Sequence, residues 1–226
     1  GRRTSLTDPE GNTTQYFYSL ASGSSSCGCG SASGASDKIT KIIYPDNTTE
    51  EFEYDSCGNL TKKIDANGNS TLYEYDASGR LIKVTDAQGN TTQYTYDAMG
   101  NLTTISDAEG RTTTNTYDAL NRLTKIIDPL SFTTQYTYDA NGNLTKKLDA
   151  NNQISEYEYD SLNQLTRVSY GGKTSPIKTV TFSYDNVGNM LRWNDNIYSA
   201  TYGYDKLNRL TSLSTVYPFG TKTLSY

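Results

Sequence analysis

The pair Tyr-Asp recurs at Tyr54-Asp55, Tyr75-Asp76, Tyr96-Asp97, Tyr117-Asp118, Tyr138-Asp139, Tyr159-Asp160, Tyr184-Asp185 and Tyr204-Asp205, with five successive steps of 21 residues, then one of 25 and one of 20. A period this strict constrains the fold before any other feature, because each copy must adopt the same local structure and stack on its neighbours. The unit reads approximately G-N-L-T-K-x-x-D-A-x-G-N-T-T-x-Y-x-Y-D-A-x, and a degenerate copy ends at Tyr18, where Ser19 stands in the Asp position. With the copy that stops at Tyr226, residues 1–226 form a single array of about ten units. The chain starts on a turn glycine, Gly1, and ends on the repeat Tyr, so it reads as a piece of a longer array.

Each unit divides into two strands. In "TTQYTYD", Thr92, Tyr94 and Tyr96 alternate with Thr91, Gln93 and Thr95, the period of a strand with one packed face. The preceding segment, "NLTTISD", carries a Leu in nearly every copy: Leu60, Leu81, Leu102, Leu123, Leu144, Leu165, Leu191 and Leu210. The third and fourth residues after that Leu exchange apolar character between copies, which predicts a bulge near the end of this first strand. Between strands, "DANGN", "DAQGN" and "DAEGR" place Asp to close a turn on its own backbone and Gly or Asn to take positive φ. The expected fold is therefore all-β, with 21-residue hairpins joined into one continuous antiparallel sheet. Equivalent residues of successive units then lie two strands, or about 10 Å, apart.

Composition supports strands and narrows the function. Tyr occurs 20 times against 5 Phe, which suits sheets over helices. The net charge is −5 with Lys and Arg scattered, so no basic stripe follows a phosphate backbone, and no nucleic-acid partner is expected. No apolar run approaches the length of a membrane-spanning helix. The absence of histidine removes the usual general base and the commonest transition-metal ligand.

These residues resemble the YD-repeat, or rearrangement-hotspot (Rhs), family, which includes shells of insecticidal toxin complexes, bacterial polymorphic toxins, wall-associated proteins and teneurins. "YDANGNLT" and "DAQGNTTQYTYD" at a 21-residue period carry the resemblance across essentially the whole chain. It implies a long sheet spiralling into a hollow shell, often around a toxin polypeptide, outside the cell or at its surface. The family's C-terminal core motif, which closes the shell and cleaves the chain, has no counterpart here. Asp128-Pro129-Leu130 is only a variant of the inter-strand turn.

No catalytic residue, cofactor or metal site is expected. The carboxylates fall in turn columns, and the stacked Asp55, Asp76, Asp97, Asp118 and Asp139 are too widely spaced, at about 10 Å, for one cation to bridge. The aromatic columns around Tyr94 and Tyr96 read as the packing face of the sheet, with a sugar-binding platform as the alternative.

Local irregularities are two insertions. Residues 20–37 form a Gly/Ser/Cys-rich loop, so that Tyr18 and Tyr54 are 36 residues apart, 15 more than the period. Cys57 occupies the equivalent turn one unit later, and Cys27 or Cys29 is expected to form a disulfide with it across a flexible loop; a three-thiolate metal site is the weaker reading. Residues 171–178 lengthen the opposite turn. The function expected is non-enzymatic: a structural segment of a large secreted or cell-surface protein, part of a β-shell or filament wall. Its partners are other repeat units of the same longer chain or of identical chains. Alternatives are an adhesion module that binds glycans and part of a shell enclosing a toxin.

Overall fold

A computed structural model describes residues 2–19, 38–172 and 176–225. The described residues form 20 strands and no helix, and the chain divides into two compact units, Gly1–Thr114 and Asn115–Tyr226.

The first unit is an antiparallel meander in which each strand pairs with the next in sequence. Its strands are β1 (Ser5–Thr7), β2 (Thr13–Tyr18), β3 (Ile39–Ile43), β4 (Thr49–Tyr54), β5 (Leu60–Ile64), β6 (Ser70–Tyr75), β7 (Leu81–Thr85), β8 (Thr91–Tyr96) and β9 (Leu102–Ser106), with β10 (Thr112–Tyr117) pairing onto β9. The second unit repeats the pattern with β11 (Leu123–Ile127), β12 (Thr133–Tyr138), β13 (Leu144–Leu148), β14 (Ile154–Tyr159), β15 (Leu165–Tyr170), β16 (Lys178–Tyr184), β17 (Met190–Asn194), β18 (Ser199–Tyr204), β19 (Leu210–Tyr217) and β20 (Gly220–Ser225). Again every strand pairs with its sequence neighbour. Leu-type strands have five residues in most copies and Tyr-type strands six, so the short ladders follow from the repeat length.

The expected bulge exists, but it sits at the start of the Leu strand. In the β8–β9 ladder Tyr96 opposes Leu102 while Thr95 opposes Thr104, so Leu102 and Thr103 share one partner. The same shift occurs at Tyr54/Leu60, Tyr75/Leu81, Tyr138/Leu144, Tyr159/Leu165, Tyr184/Met190 and Tyr204/Leu210. One extra residue changes the parity of the strand. Leu102 and Ile105, three apart, then share the face of Tyr94 and Tyr96, while Ser106 falls on the face of Gln93. The apolar exchange between the third and fourth positions after Leu reflects two different faces, which explains why it pointed to the wrong end of the strand.

One face carries the Tyr and Leu columns, with the Lys63–Glu50 pair at 3.0 Å set among them, and the other is rich in Lys, Glu, Gln and Thr. On the polar face Lys62–Glu53 and Lys83–Glu74 pair at 3.0 and 2.9 Å across neighbouring strands. These exposed pairs add little to stability individually. Neither face is covered within a unit: among the described residues only Val168, Ser169, Gly172, Asp195 and Ala200 are buried, all in the second unit.

Candidate functional site

The Tyr of each Tyr-Asp pair is a hydrogen-bonding strut. The β7–β8 ladder ends at Lys83↔Gln93, leaving the Leu81 carbonyl beyond it without a strand partner. The Tyr96 hydroxyl donates to that carbonyl at 2.8 Å. The bond recurs from Tyr54 to Ile39 (3.0 Å), Tyr75 to Leu60 (2.9 Å), Tyr138 to Leu123 (2.8 Å), Tyr159 to Leu144 (3.0 Å), Tyr184 to Leu165 (2.9 Å) and Tyr204 to Met190 (3.1 Å). Phe would fill the same area without satisfying the carbonyl, which accounts for the excess of Tyr over Phe. Burial pushes the hydroxyls of Tyr54, Tyr75, Tyr138, Tyr159 and Tyr184 above their ordinary pKa, so they remain protonated donors.

The Asp is a turn clamp. Asp97 Oδ1 accepts from the backbone N–H of Met99 and Asn101, both at 2.9 Å, and its Oδ2 accepts from the Asn101 side chain at 2.9 Å. Its main chain closes the loop, with Gly100 N–H donating to its carbonyl at 3.1 Å and its own N–H donating to Asn101 at 3.0 Å. Gly100 takes φ +91°, as this three-residue hairpin loop requires. Asn121, Asn163 and Asn208 take the same left-handed position at φ 61°, 61° and 60°. The Asn101 amide holds the Asp97 carboxyl below the usual carboxylate range. Where Arg replaces that Asn, Arg80 and Arg122 clamp Asp76 and Asp118 at 2.7 Å and stack over Tyr96 and Tyr138, each at 4.8 Å from the ring centre. The bulge Thr completes the unit: Thr145 and Thr166 donate to the carbonyls of Thr137 and Glu158, both at 3.1 Å.

In most copies the polar atoms of the pair are thus engaged by the scaffold, as at Tyr96-Asp97. Both oxygens of the Asp97 carboxylate accept within one turn, and the Tyr96 hydroxyl is given to a carbonyl. A shallow cavity of about 430 Å³ lies between two consecutive turns, with Asp55, Cys57 and Asn59 on one side and Tyr75, Asp76 and Gly79 on the other. Clamp residues line it together with Thr61, Tyr73 and Ile82 of the adjoining strands. Cys57 sits exposed in the Asp55 turn, its N–H donating to Asp55 Oδ1 at 2.9 Å. Cys27, Cys29 and the insertion 20–37 lie outside the described residues. Ser19 N–H donates to the Lys38 carbonyl at 3.0 Å, the bond that the Asp makes elsewhere, so the insertion leaves and returns at the base of a Tyr-Asp-type turn. No helix among the described residues is long and apolar enough to cross a membrane.

The sequence reading missed Asp195. Its side chain is 6% exposed, accepts from the backbone of Ile197 and Tyr198 at 3.0 and 2.6 Å, and pairs with Lys178 Nζ at 2.8 Å. This pair joins the end of the 171–178 insertion, of which residues 173–175 lie outside the described residues, to the turn between β17 and β18. The Lys178 ammonium lowers the Asp195 pKa from 3.8 to about 2, helped by the Tyr198 N–H. The signal was present as the 20-residue step from Tyr184 to Tyr204. This turn is one residue shorter than the repeat's other Asp turns, with Asp195 N–H closing on Tyr198 three residues on rather than four.

The RHS Repeat family model matches residues 35–70, 56–91, 75–112, 117–154 and 138–175, more than half of the chain. The chain belongs to the RHS repeat family. Among solved structures, it is similar to the TcdB2-TccC3 crystal structure at 17% identity and TM-score 0.69, covering 98% of this chain and 14% of that one. The TcdB2-TccC3-Cdc42 crystal structure follows at 16% identity and TM-score 0.60, and a Photorhabdus luminescens Tc holotoxin pore at 16% and 0.58, each covering 98% of this chain and 15% of theirs. These likenesses establish the Rhs fold, over about one seventh of the length of those chains. No curated protein matches the sequence.

Two outcomes follow for this Rhs segment. Tyr96→Phe removes the strut to Leu81 and is expected to cost about 1–2 kcal/mol, because a half-buried carbonyl loses its donor. Tyr94→Phe, at a ring on the same face with no such bond, is expected to change stability by less than about 0.5 kcal/mol; equal effects in urea unfolding would refute the strut. The depressed carboxyls, Asp76, Asp97, Asp107, Asp118, Asp139, Asp185, Asp195 and Asp205 among them, make the fold acid-sensitive. A lowered folded pKa stabilises fully above the ordinary value and is lost as pH falls through the folded one. The urea midpoint should be flat down to about pH 5 and fall below about pH 4, the Asp195 share between 3.8 and about 2; Asp195→Asn should flatten the lowest part of that curve.

Proposed function

We propose that this chain is a non-enzymatic wall segment of a large secreted or cell-surface protein, part of a β-shell or filament wall, in which residues 1–226 act as one array of about ten units within a longer chain. The observation that carries this reading is the recurrent use of the Tyr-Asp pair in scaffold bonds, a Tyr strut and an Asp turn clamp, copy after copy. The RHS repeat match and the fold likeness support it. The partners are other Rhs units, of the same longer chain or of identical chains, adding strands beyond β1 and β20, whose residues are exposed. On intact producing cells, protease added outside should cleave this segment; cleavage only after lysis would overturn the placement.

A second reading, a shell enclosing a toxin, is favoured by the similarity to a chain of a Tc holotoxin pore. The full-length protein should then hold a polypeptide that resists protease until the shell is opened, and immediate digestion of all non-repeat sequence would exclude it.

We further propose that Cys57 forms a disulfide with Cys27 or Cys29, tying the 20–37 insertion to the neighbouring turn. Support comes from the exposed position of Cys57 on the turn rim where the insertion leaves and returns. Non-reducing peptide mapping of native material should find one such bridge and one remaining thiol; three free thiols would reject it.

A further inference from the structure

The turns after the Tyr-Asp pairs of the second unit carry an apolar stripe. The second residue after Asp is Leu120, Leu162, Val187 and Leu207 in four of five turns, at 68, 66, 70 and 73% exposure; the fifth is Asn141. In the first unit the same position holds Cys57, Ser78 and Met99. This slot in a tight turn favours Asn, Asp or Ser, so a run of Leu and Val there works against local preference and contributes nothing to packing within the unit. Side chains that break a local rule without a folding gain mark a function.

The stripe is rigid. Each backbone N–H in the slot donates to the turn carboxylate: Leu120 to Asp118 at 2.9 Å, Leu162 to Asp160 at 2.9 Å, Val187 to Asp185 at 3.0 Å and Leu207 to Asp205 at 2.8 Å. The side chains are therefore held outward at a pitch of two strands, about 10 Å. The five turns make a row about 40 Å long. Asn141 is folded along the rim, its amide donating to Asn163 at 3.0 Å. The residues just before the slot, Ala119, Ala140, Ser161 and Asn186, are uncharged, and Lys206 is charged; Arg122 and Arg209, which close two of the turns, are paired with Asp118 and Asp205, both at 2.7 Å. The opposite rim also exposes Leu130, Ile177 and Ile197, but the 171–178 insertion breaks its spacing.

We infer that this rim is a self-association surface that takes the same rim of a second copy of the chain, antiparallel about a twofold axis. Two rows of equal pitch, offset by half a step, interdigitate along their whole length, and one patch serves both partners as twofold symmetry requires. A row about 40 Å by 10 Å buries on the order of 800 Å² in total, more with flanking turn atoms, which places the contact at the weak end of specific interfaces. A lipid surface is the less suitable occupant, because the chain has a net charge of −5 and, of the three cations in these turns, Arg122 and Arg209 are already paired with Asp118 and Asp205. This contact uses turns and is separate from strand addition at β1 or β20.

Sedimentation velocity from about 1 to several hundred µM tests it, a range chosen for micromolar-to-millimolar affinity. The chain should show a reversible, concentration-dependent monomer–dimer shift. Leu162→Asp with Val187→Asp should weaken dimerisation at least about tenfold without changing circular dichroism or the melting temperature, since both side chains are exposed. Ile177→Asp on the opposite rim should leave dimerisation intact. A chain monomeric throughout, dimerisation unchanged in the double variant, or binding to phosphatidylcholine vesicles without self-association would each overturn the proposal.

Discussion

The hydrogen bond from the repeat Tyr to a carbonyl at the start of the preceding Leu-type strand, fifteen residues earlier in most copies, is the constraint on which the rest of this structure depends. The bulge after that Tyr and the short ladder before it both interrupt backbone pairing, and an interrupted sheet leaves carbonyls that must find donors. A phenol is long enough to cross the gap and rigid enough to hold it, as Tyr96 does to Leu81. Because the acceptor lies on the preceding strand, each strut ties one hairpin to its own Leu strand, and the meander propagates from neighbour to neighbour.

This explains how units with so little buried side chain hold together. Stability in such an array is close to a sum of unit and nearest-neighbour terms. Here those terms are polar as much as apolar: the carboxylate clamp, the amide or guanidinium on its second oxygen, the Thr hydroxyl at the bulge and the phenol strut. Arg80 and Arg122 show the coupling, since each clamps its own turn and donates to the carbonyl of the next repeat's Asp at 3.1 and 3.0 Å. Collectively these bonds replace what a second packed layer supplies in a sandwich.

Most of the architecture was legible because period-2 alternation and turn chemistry are local. Tyr94 and Tyr96, Gly100 and Asp97 each carry a pattern that has one structural solution. The bulge itself was legible, from the exchange of apolar character at Ile105 and Ser106, but its place was not, because only the register shows that Thr103 changes the parity between Leu102 and the residues that follow. Asp195 escaped for a different reason. Its role is set by Lys178, which lies across the sheet on another strand, and no window around "NDNIY" contains that partner. Cys27 and Cys29 mark the remaining limit, because a Gly/Ser-rich loop has no periodicity from which to place a side chain.

The clamp also determines where variation can occur. The turn carboxylate binds the slot two residues on through its backbone N–H, so it constrains the main chain there and leaves the side chain free. Met99, Leu120, Asn141 and Leu162 occupy that slot with the same bond to Asp at 2.9 Å in each case. The Tyr, the Asp and the left-handed Gly or Asn cannot change without losing a strut or a turn, whereas this position can exchange its side chain at no cost beyond the turn's preference for small polar residues. A repeat built this way separates its scaffold from its surface within seven residues. The rim becomes the place where one unit can differ from the next in what it contacts.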